Sequence, residues 1–335
     1  MSKKEKQSPF VQNASIFEDI VVRCVRYAFA QIPASIGRVF FSKWVVYPFF
    51  RFRLLRHGYL TSPIRYSEID KNGIRGLWIS GEPPDDLEKP DLVVYYLHGG
   101  GFSMGSSYFY LEFLIAWLTM LRAKGFRYPA IFALEYSLVP DEIWPKQFQE
   151  TRAGYRFLCD YLGEGSRICV SGDSAGATLI LSLLLQNEKV GEPVPRPGLA
   201  VLLSPWTHLV SDLNENTPSD YLDSDSLHLY ARQYAGHAAL DDPLISPGRT
   251  NIGWQVSAPI KGYHIIYGAE EVFAPGIQET VRSMKRSGAA VEMTREDAGI
   301  HAWPVVDLFL SDSPDDRLHG LNKMAEIVYS KMGTK

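Results

Sequence analysis

The chain has 335 residues, 46% hydrophobic and 21% charged, which is enough apolar content for a sizeable buried core. A net charge of -4 argues against nucleic acid as a main partner. The three cysteines, Cys24, Cys159 and Cys169, lack metal-ligand spacing and suit a reducing compartment better than a disulfide scaffold.

The opening stretch is charged and has no apolar run of the kind a secretory signal needs, so a cytoplasmic location is the expectation. Residues 1–60 differ from the rest: ten Lys/Arg stand against three Asp/Glu, a net of +7, whereas the remainder carries a net of -11. The same segment is aromatic, with Phe40, Phe41, Trp44, Tyr47, Phe49, Phe50 and Phe52, but Arg38, Lys43 and Arg51 interrupt any run long enough to span a bilayer. Two readings stay open for it. In one, a pair of amphipathic helices packs on the body of the protein. In the other, residues 1–56 make peripheral contact with an anionic surface of an intracellular membrane.

Strand-like and helix-like stretches then alternate. Residues 66–70 and 73–79 read as two antiparallel strands, and 92–97 is a short, wholly apolar run suited to a strand buried on both faces. A helix is expected over 108–124, a strand over 130–134, a helix over 147–162 and a strand over 167–171. A helix over 175–186 and a strand over 199–203 follow. The last strands fall at 263–267 and 290–294, with helices near 277–287 and 314–332. This order predicts an α/β fold: a mostly parallel sheet of about eight strands covered by helices on both faces. Residues 207–242 break the rhythm and are polar and helical-looking. The expected organisation is an N-terminal helical cap over 1–60, a core over 61–206 and 243–335, and a cap insertion over 207–242.

Gly172-Asp173-Ser174-Ala175-Gly176 lies between an expected strand and an expected helix, the context a nucleophile elbow requires. The turn is tight, so the residues flanking Ser174 must be small, and the helix N-terminus beyond it favours negative charge. His98-Gly99-Gly100-Gly101-Phe102 follows the buried strand, and its three glycines let a substrate oxygen approach bare backbone N–H groups. No Lys-Ser/Thr pair follows, as a phosphate-binding loop would need.

Together these two motifs, with Gly101 and Ser174 73 positions apart, resemble those of the hormone-sensitive lipase family of esterases and lipases. Tyr136-Ser137-Leu138-Val139-Pro140-Asp141 is similar to that family's Tyr-Arg-Leu-Ala-Pro-Glu, with Ser137 in place of Arg. Ser204-Pro205-Trp206-Thr207 and residues 241–247 resemble the segments that bracket its lid. The likeness runs over about residues 90–310 and implies the α/β-hydrolase fold.

The fold's order of catalytic residues is Ser, then Asp/Glu, then His. Gly268-Ala269-Glu270-Glu271-Val272-Phe273 follows the strand at 263–267 and lacks the family's Asp-Pro-Leu as such. Either glutamate can serve. Glu271 is preferred, because it precedes Val272-Phe273 as the family's Asp precedes Pro-Leu and stands 30 residues before His301; Glu270 is the alternate. His301, in Gly299-Ile300-His301-Ala302-Trp303, resembles the family's His-Gly-Phe. His264 in a strand, His208, His228 and His237 in 207–242, and His319 on the final helix read as packing or surface residues.

What this implies is acyl transfer in two steps: Ser174 attacks an ester carbonyl, His301 moves the proton and the acid orients His301. The oxyanion is held by N–H groups drawn from Gly99, Gly100, Gly101 and Ala175. No metal or organic cofactor is required. Phe102, Phe40, Trp44, Tyr221 and Tyr230 are the candidates for an apolar pocket, and the partner is a small-molecule ester of fairly apolar character. Two other functions remain in view: a non-hydrolytic member of the fold performing elimination, cyclisation or acyl transfer, and a ligand-binding receptor.

Overall fold

Leu92 to Leu97 has no polar face, so as a strand it must be covered on both sides. A computed structural model describes residues 8–56, 64–186, 194–311 and 313–333, and in it this run is a central strand buried at every position. The strands are β1 (Arg65–Lys71), β2 (Ile74–Ser80), β3 (Leu92–Leu97), β4 (Pro129–Leu134), β5 (Ile168–Asp173), β6 (Leu199–Leu203), β7 (Tyr263–Gly268) and β8 (Val291–Glu296). They form one sheet in the order β1-β2-β4-β3-β5-β6-β7-β8. β1 and β2 are a hairpin, paired from Arg65 opposite Ser80 to Lys71 opposite Ile74, and β2 joins β4 antiparallel; every other pairing is parallel. β3 to β7 are buried throughout, while the edge strands β1 and β8 keep exposed positions, as strands covered on both faces and edge strands should.

The helices are α1 (Pro9–Asn13), α2 (Ile16–Gln31), α3 (Ala34–Phe40), α4 (Lys43–Arg56), α5 (Leu111–Lys124), α6 (Lys146–Leu162), α7 (Ala175–Gln186), α8 (Ser224–Ala235), α9 (Ala274–Arg286), α10 (Trp303–Leu310) and α11 (Pro314–Met332). Ser15 opens α2 by a capping box, accepting from Glu18 N–H while the Glu18 carboxylate accepts from Ser15 N–H. Where two N-terminal helices were expected the described residues form four, because the chain is extended at Ala14–Ser15, Pro33 stops the first long helix and a turn at Phe41–Ser42 stops the next. The polar stretch 207–242 is mostly loop, with α8 its one helix. α10 was not anticipated: eight mostly apolar residues give no two-faced pattern to read.

Parallel strands send their carboxyl ends to one side, and loops leaving β3, β5, β6, β7 and β8 gather there. The N-terminal helices are fastened over that side by three arginines. Arg26 donates to the carbonyls of Thr217, Pro218 and Asp220, and Arg38 to those of Ser103 and Val139 and to the Asp141 carboxylate. Arg53 is buried, donating to both oxygens of the buried Glu112 on α5 and to Leu308 O on α10. Its guanidinium also lies 4.8 Å from the Phe309 ring centre.

Breaking a buried ion pair from one side leaves a charge uncompensated. Arg53→Met is therefore expected to lower unfolding free energy by about 3–5 kcal/mol, and pairing it with Glu112→Leu to recover most of that loss. Urea unfolding of the two variants checks this; equal destabilisation by both would show that the arginine stem, not the charge pairing, holds α4.

Candidate active site

At the end of β5 the chain turns sharply into α7 through Ser174, which takes a positive φ of 51°. That conformation is uncommon for a residue other than glycine and is held here by packing. The clearance is real: a Cβ on Gly176 would stand 2.1 Å from Leu97 O, and one on Gly172 2.7 Å from the same oxygen. Ser174 N–H donates to Leu203 O at 3.0 Å, tying the elbow to β6.

The loop after β3 passes beside it. Gly100, Gly101 and Phe102 have φ of 112°, 61° and 60°. A Cβ on Gly100 would meet Met104 O at 2.2 Å, so that glycine is required by space as well as conformation. The N–H groups of Gly100 and Gly101 have no acceptor among the described residues, and Ala175 N–H is at the first position of α7, where no intrahelical acceptor exists. Gly99 departs from expectation. Its N–H donates to Asp173 Oδ1 at 2.9 Å, so it holds the loop in place and is not free to meet a substrate oxygen.

Asp173 also accepts from Tyr96 and Tyr110 hydroxyls, each at 2.7 Å. Burial pushes its carboxyl above the usual range, and these donors counter that. His98 is buried and stacks on Tyr136, with ring centres 4.4 Å apart, and the Tyr136 hydroxyl donates to His98 O at 2.7 Å.

The two glutamates part company. Glu271 is buried; its Oε2 accepts from Ser204 Oγ at 2.6 Å and from Gly268 N–H at 2.9 Å, and its Oε1 faces His301 Nδ1 at 4.0 Å. Neither of those last two atoms has another partner among the described residues. Glu270 points away: its carboxylate accepts from Phe10 N–H and the Ser219 hydroxyl, binding α1 and the 207–242 segment together. Burial lowers the His301 pKa to about 3, so its imidazole is neutral at pH 7, and burial raises the Glu271 pKa, opposed by the Ser204 hydroxyl.

Two residues here were not singled out from the sequence as site residues. Ser204, with φ of 42°, donates to Glu271 and accepts from Ala302 N–H at 2.9 Å, so one hydroxyl joins the Glu271 loop to the His301 loop. Its signal was its place at the end of β6, where the fold gathers its catalytic loops. Asp220 is fully buried: Oδ2 accepts from Val272 N–H at 2.8 Å, and Oδ1 from Tyr221 N–H at 2.8 Å and His301 N–H at 3.3 Å. Burial moves it up to about 6. A carboxylate inside a polar segment gives no sequence sign of such a role.

Ser174 and His301 line one cavity of about 340 Å³. Its outer wall is α2, through Val21, Val22, Val25 and Phe29, and another wall is α10 and its end, through Val305, Val306, Phe309 and Leu310. Tyr221 lines it, with its hydroxyl 3.2 Å from His301 O. The other expected pocket residues do not. Phe40 and Trp44 face outward, 62% and 87% exposed, because the helix phase turns Phe41 inward in their stead. Phe102 is buried in the core, stacked on Tyr234 at 3.7 Å, and Tyr230 stands behind the glycine loop, against Gly101 and Phe29.

The family pattern described as alpha/beta hydrolase fold matches residues 94–305. The chain is 26% identical over 215 residues to an acetyl-hydrolase of Streptomyces hygroscopicus, covering 63% of this chain and 68% of that protein. It is 33% identical over 133 residues to human hormone-sensitive lipase, covering 38% of this chain but only 12% of the lipase. The crystal structure of EstE7, a hormone-sensitive lipase homologue from a metagenome library, superposes with a TM-score of 0.72 over 95% of this chain and all of that one; at 19% identity the likeness shows the fold. The fold and the relatives together support a serine carboxylic ester hydrolase. The chain belongs to the α/β-hydrolase fold family.

Removing the Ser204 hydroxyl would leave the buried Ala302 N–H without an acceptor and Glu271 with one donor fewer. Ser204→Ala is expected to cost about 1–3 kcal/mol of stability. A denaturant midpoint unchanged from wild type would show that the two loops do not depend on this link.

Proposed function

We propose that this protein is a carboxylesterase in which Ser174, His301 and Glu271 hydrolyse a fairly apolar ester of an acetyl or short-to-medium acyl group. One observation carries the reading: Ser174 and His301 open onto the same apolar cavity, and the far nitrogen of His301 faces a buried glutamate. The acetyl end of the acyl range is supported by the relative named as an acetyl-hydrolase.

In the first step neutral His301 takes the Ser174 proton as Oγ bonds to the ester carbonyl carbon. The carbonyl oxygen becomes an oxyanion held by the N–H groups of Gly100, Gly101 and Ala175. The C–O bond to the alcohol then breaks, and His301 returns the proton to the leaving oxygen. In the second step His301 takes a proton from water, whose oxygen adds to the acyl carbon, and Ser174 leaves with the proton. Glu271 orients His301 through Nδ1 and offsets the imidazolium charge. Its 4.0 Å separation must shorten by about 1 Å to become a hydrogen bond, a tightening common when substrate binds.

Turnover of a p-nitrophenyl ester series from acetate to palmitate tests this. Wild type should act best on short or medium chains, Ser174→Ala should lose activity, and Glu271→Gln should fall roughly 10²–10⁴-fold. Glu270→Gln should stay close to wild type, since its carboxylate serves structural contacts. No turnover of any ester by wild type would overturn the reading, and a larger loss at Glu270 would reassign the acid.

A lowered pKa on the base keeps it neutral to more acidic pH. The acid limb of kcat/KM is therefore expected below the ordinary imidazole value of 6.5. A limb centred at or above pH 6.5 would mean that water reaches His301 in the working enzyme.

A further inference from the structure

Of the twenty large hydrophobic side chains exposed among the described residues, twelve lie between Ile16 and Phe52. They are not scattered. On α2, Ile16, Ile20 and Tyr27 fall along one outward stripe at helical spacing, with Cys24 between them. On α4, Trp44, Val45, Phe49 and Phe52 share one outward face, and Ile36, Val39 and Phe40 do the same on α3. Single exposed apolar residues are ordinary on a soluble surface, but successive helices each presenting an apolar stripe mark an interaction surface.

The orientation of these helices is imposed by the body of the protein. Arg26, Arg38 and Arg53 are drawn inward to carbonyls and carboxylates, so the opposite, apolar faces must point away. Lys43 is turned to Glu68 on β1 and to the Tyr108 ring, which leaves Arg23, paired with Asp19 on its own helix, and Arg51 exposed among the apolar residues. Residues 1–60 carry a net of +7 against -11 for the rest of the chain, which turns this segment toward a negative surface; residues 1–7, which hold three of its lysines, lie outside the described residues. Among the described residues no helix is long and apolar enough to cross a membrane. The same helices border the cavity: the inner side of α2 is its wall, Val25 is both wall and 38% exposed, and Phe41, between α3 and α4, lines it too.

We propose that the outer faces of α2, α3 and α4 form a docking surface for an anionic phospholipid bilayer, with apolar side chains at the interface and Arg23 and Arg51 at headgroup level. An apolar stripe with basic flanks and an exposed tryptophan is what an interfacial helix needs. The surface stands independently of which ester Ser174 cleaves.

Sedimentation of the full chain with vesicles of phosphatidylcholine and phosphatidylserine, and with phosphatidylcholine alone, tests the docking. The wild type should pellet with the mixed vesicles, more weakly with the neutral ones, and less at high salt. Substituting Ile16→Ser, Ile20→Ser, Phe49→Ser and Phe52→Ser together should weaken partitioning roughly tenfold or more, given the apolar area withdrawn. Circular dichroism and thermal unfolding establish that this variant is folded. A second readout uses Cys24, exposed while Cys159 and Cys169 are buried: an environment-sensitive dye there should shift to the blue on mixed vesicles. Wild type remaining in the supernatant, equal binding to both vesicle types, or no blue shift would overturn the proposal. So would light scattering that shows a wild-type dimer reduced to a monomer by the serine variant, which would assign the faces to a second copy of the chain.

Discussion

The site rests on one close approach: the turn from β5 into α7 presses against the end of β3 with no room for a side chain. Gly172 and Gly176 let the backbone at Leu97 and His98 come within contact of the elbow, and this brings two distant parts of the chain together. Ser174 is lifted into the positive-φ region, and the glycine loop that leaves β3 is set beside it in the same step. Asp173 completes the joint, since it leaves the elbow on the side facing the loop and receives Gly99 N–H. A larger residue at either glycine would push Ser174 away from the N–H groups of Gly100 and Gly101.

Three buried carboxylates, Asp173, Asp220 and Glu271, organise the loops around that joint. Burying a carboxylate is costly unless it is supplied with donors, and each of these is supplied from a different loop. Asp173 gathers β3 and the Tyr110 turn, Asp220 gathers the 207–242 segment with the loops of Glu271 and His301, and Glu271 gathers β6 and β7. The cost of desolvation thereby becomes precision: a loop that strays leaves a charge unpaired in a low-dielectric setting. The same surroundings keep His301 neutral.

What could be read in advance follows the range of the physical rule involved. The elbow at Gly172–Gly176, the buried strands and the triple glycine are local, and their residue types answer to local sterics, so each appeared where expected. Glu270 and Glu271 could not be separated with the same force, because adjacent residues differ only in direction and direction is set by Ser204, Gly268, Phe10 and Ser219, none of them neighbours in sequence. The pocket was the least legible part. Phe40 and Trp44 are aromatic and near the right place, but helix phase decides between Phe40 and Phe41, and phase is fixed by Arg38 reaching Ser103 and Asp141 across the fold. The true wall residues on α2, Val21, Val22 and Val25, are small aliphatics that no motif distinguishes. Gly99 looked equivalent to its neighbours until Asp173 was seen to occupy its N–H.

α2 supplies one side of the cavity yet contributes nothing to the sheet, and Arg26 holds it by a cluster of carbonyls rather than by side-chain matching. Carbonyl anchors do not depend on the identity of the residues that carry them. The helix therefore behaves as an interchangeable panel: its inner positions can be exchanged to widen or narrow the chamber while the anchoring arginine and the reacting groups stay as they are. The shape of the chamber on this side is thus set by about two and a half turns of one helix, Val21 to Phe29, separate in sequence from Ser174 and His301.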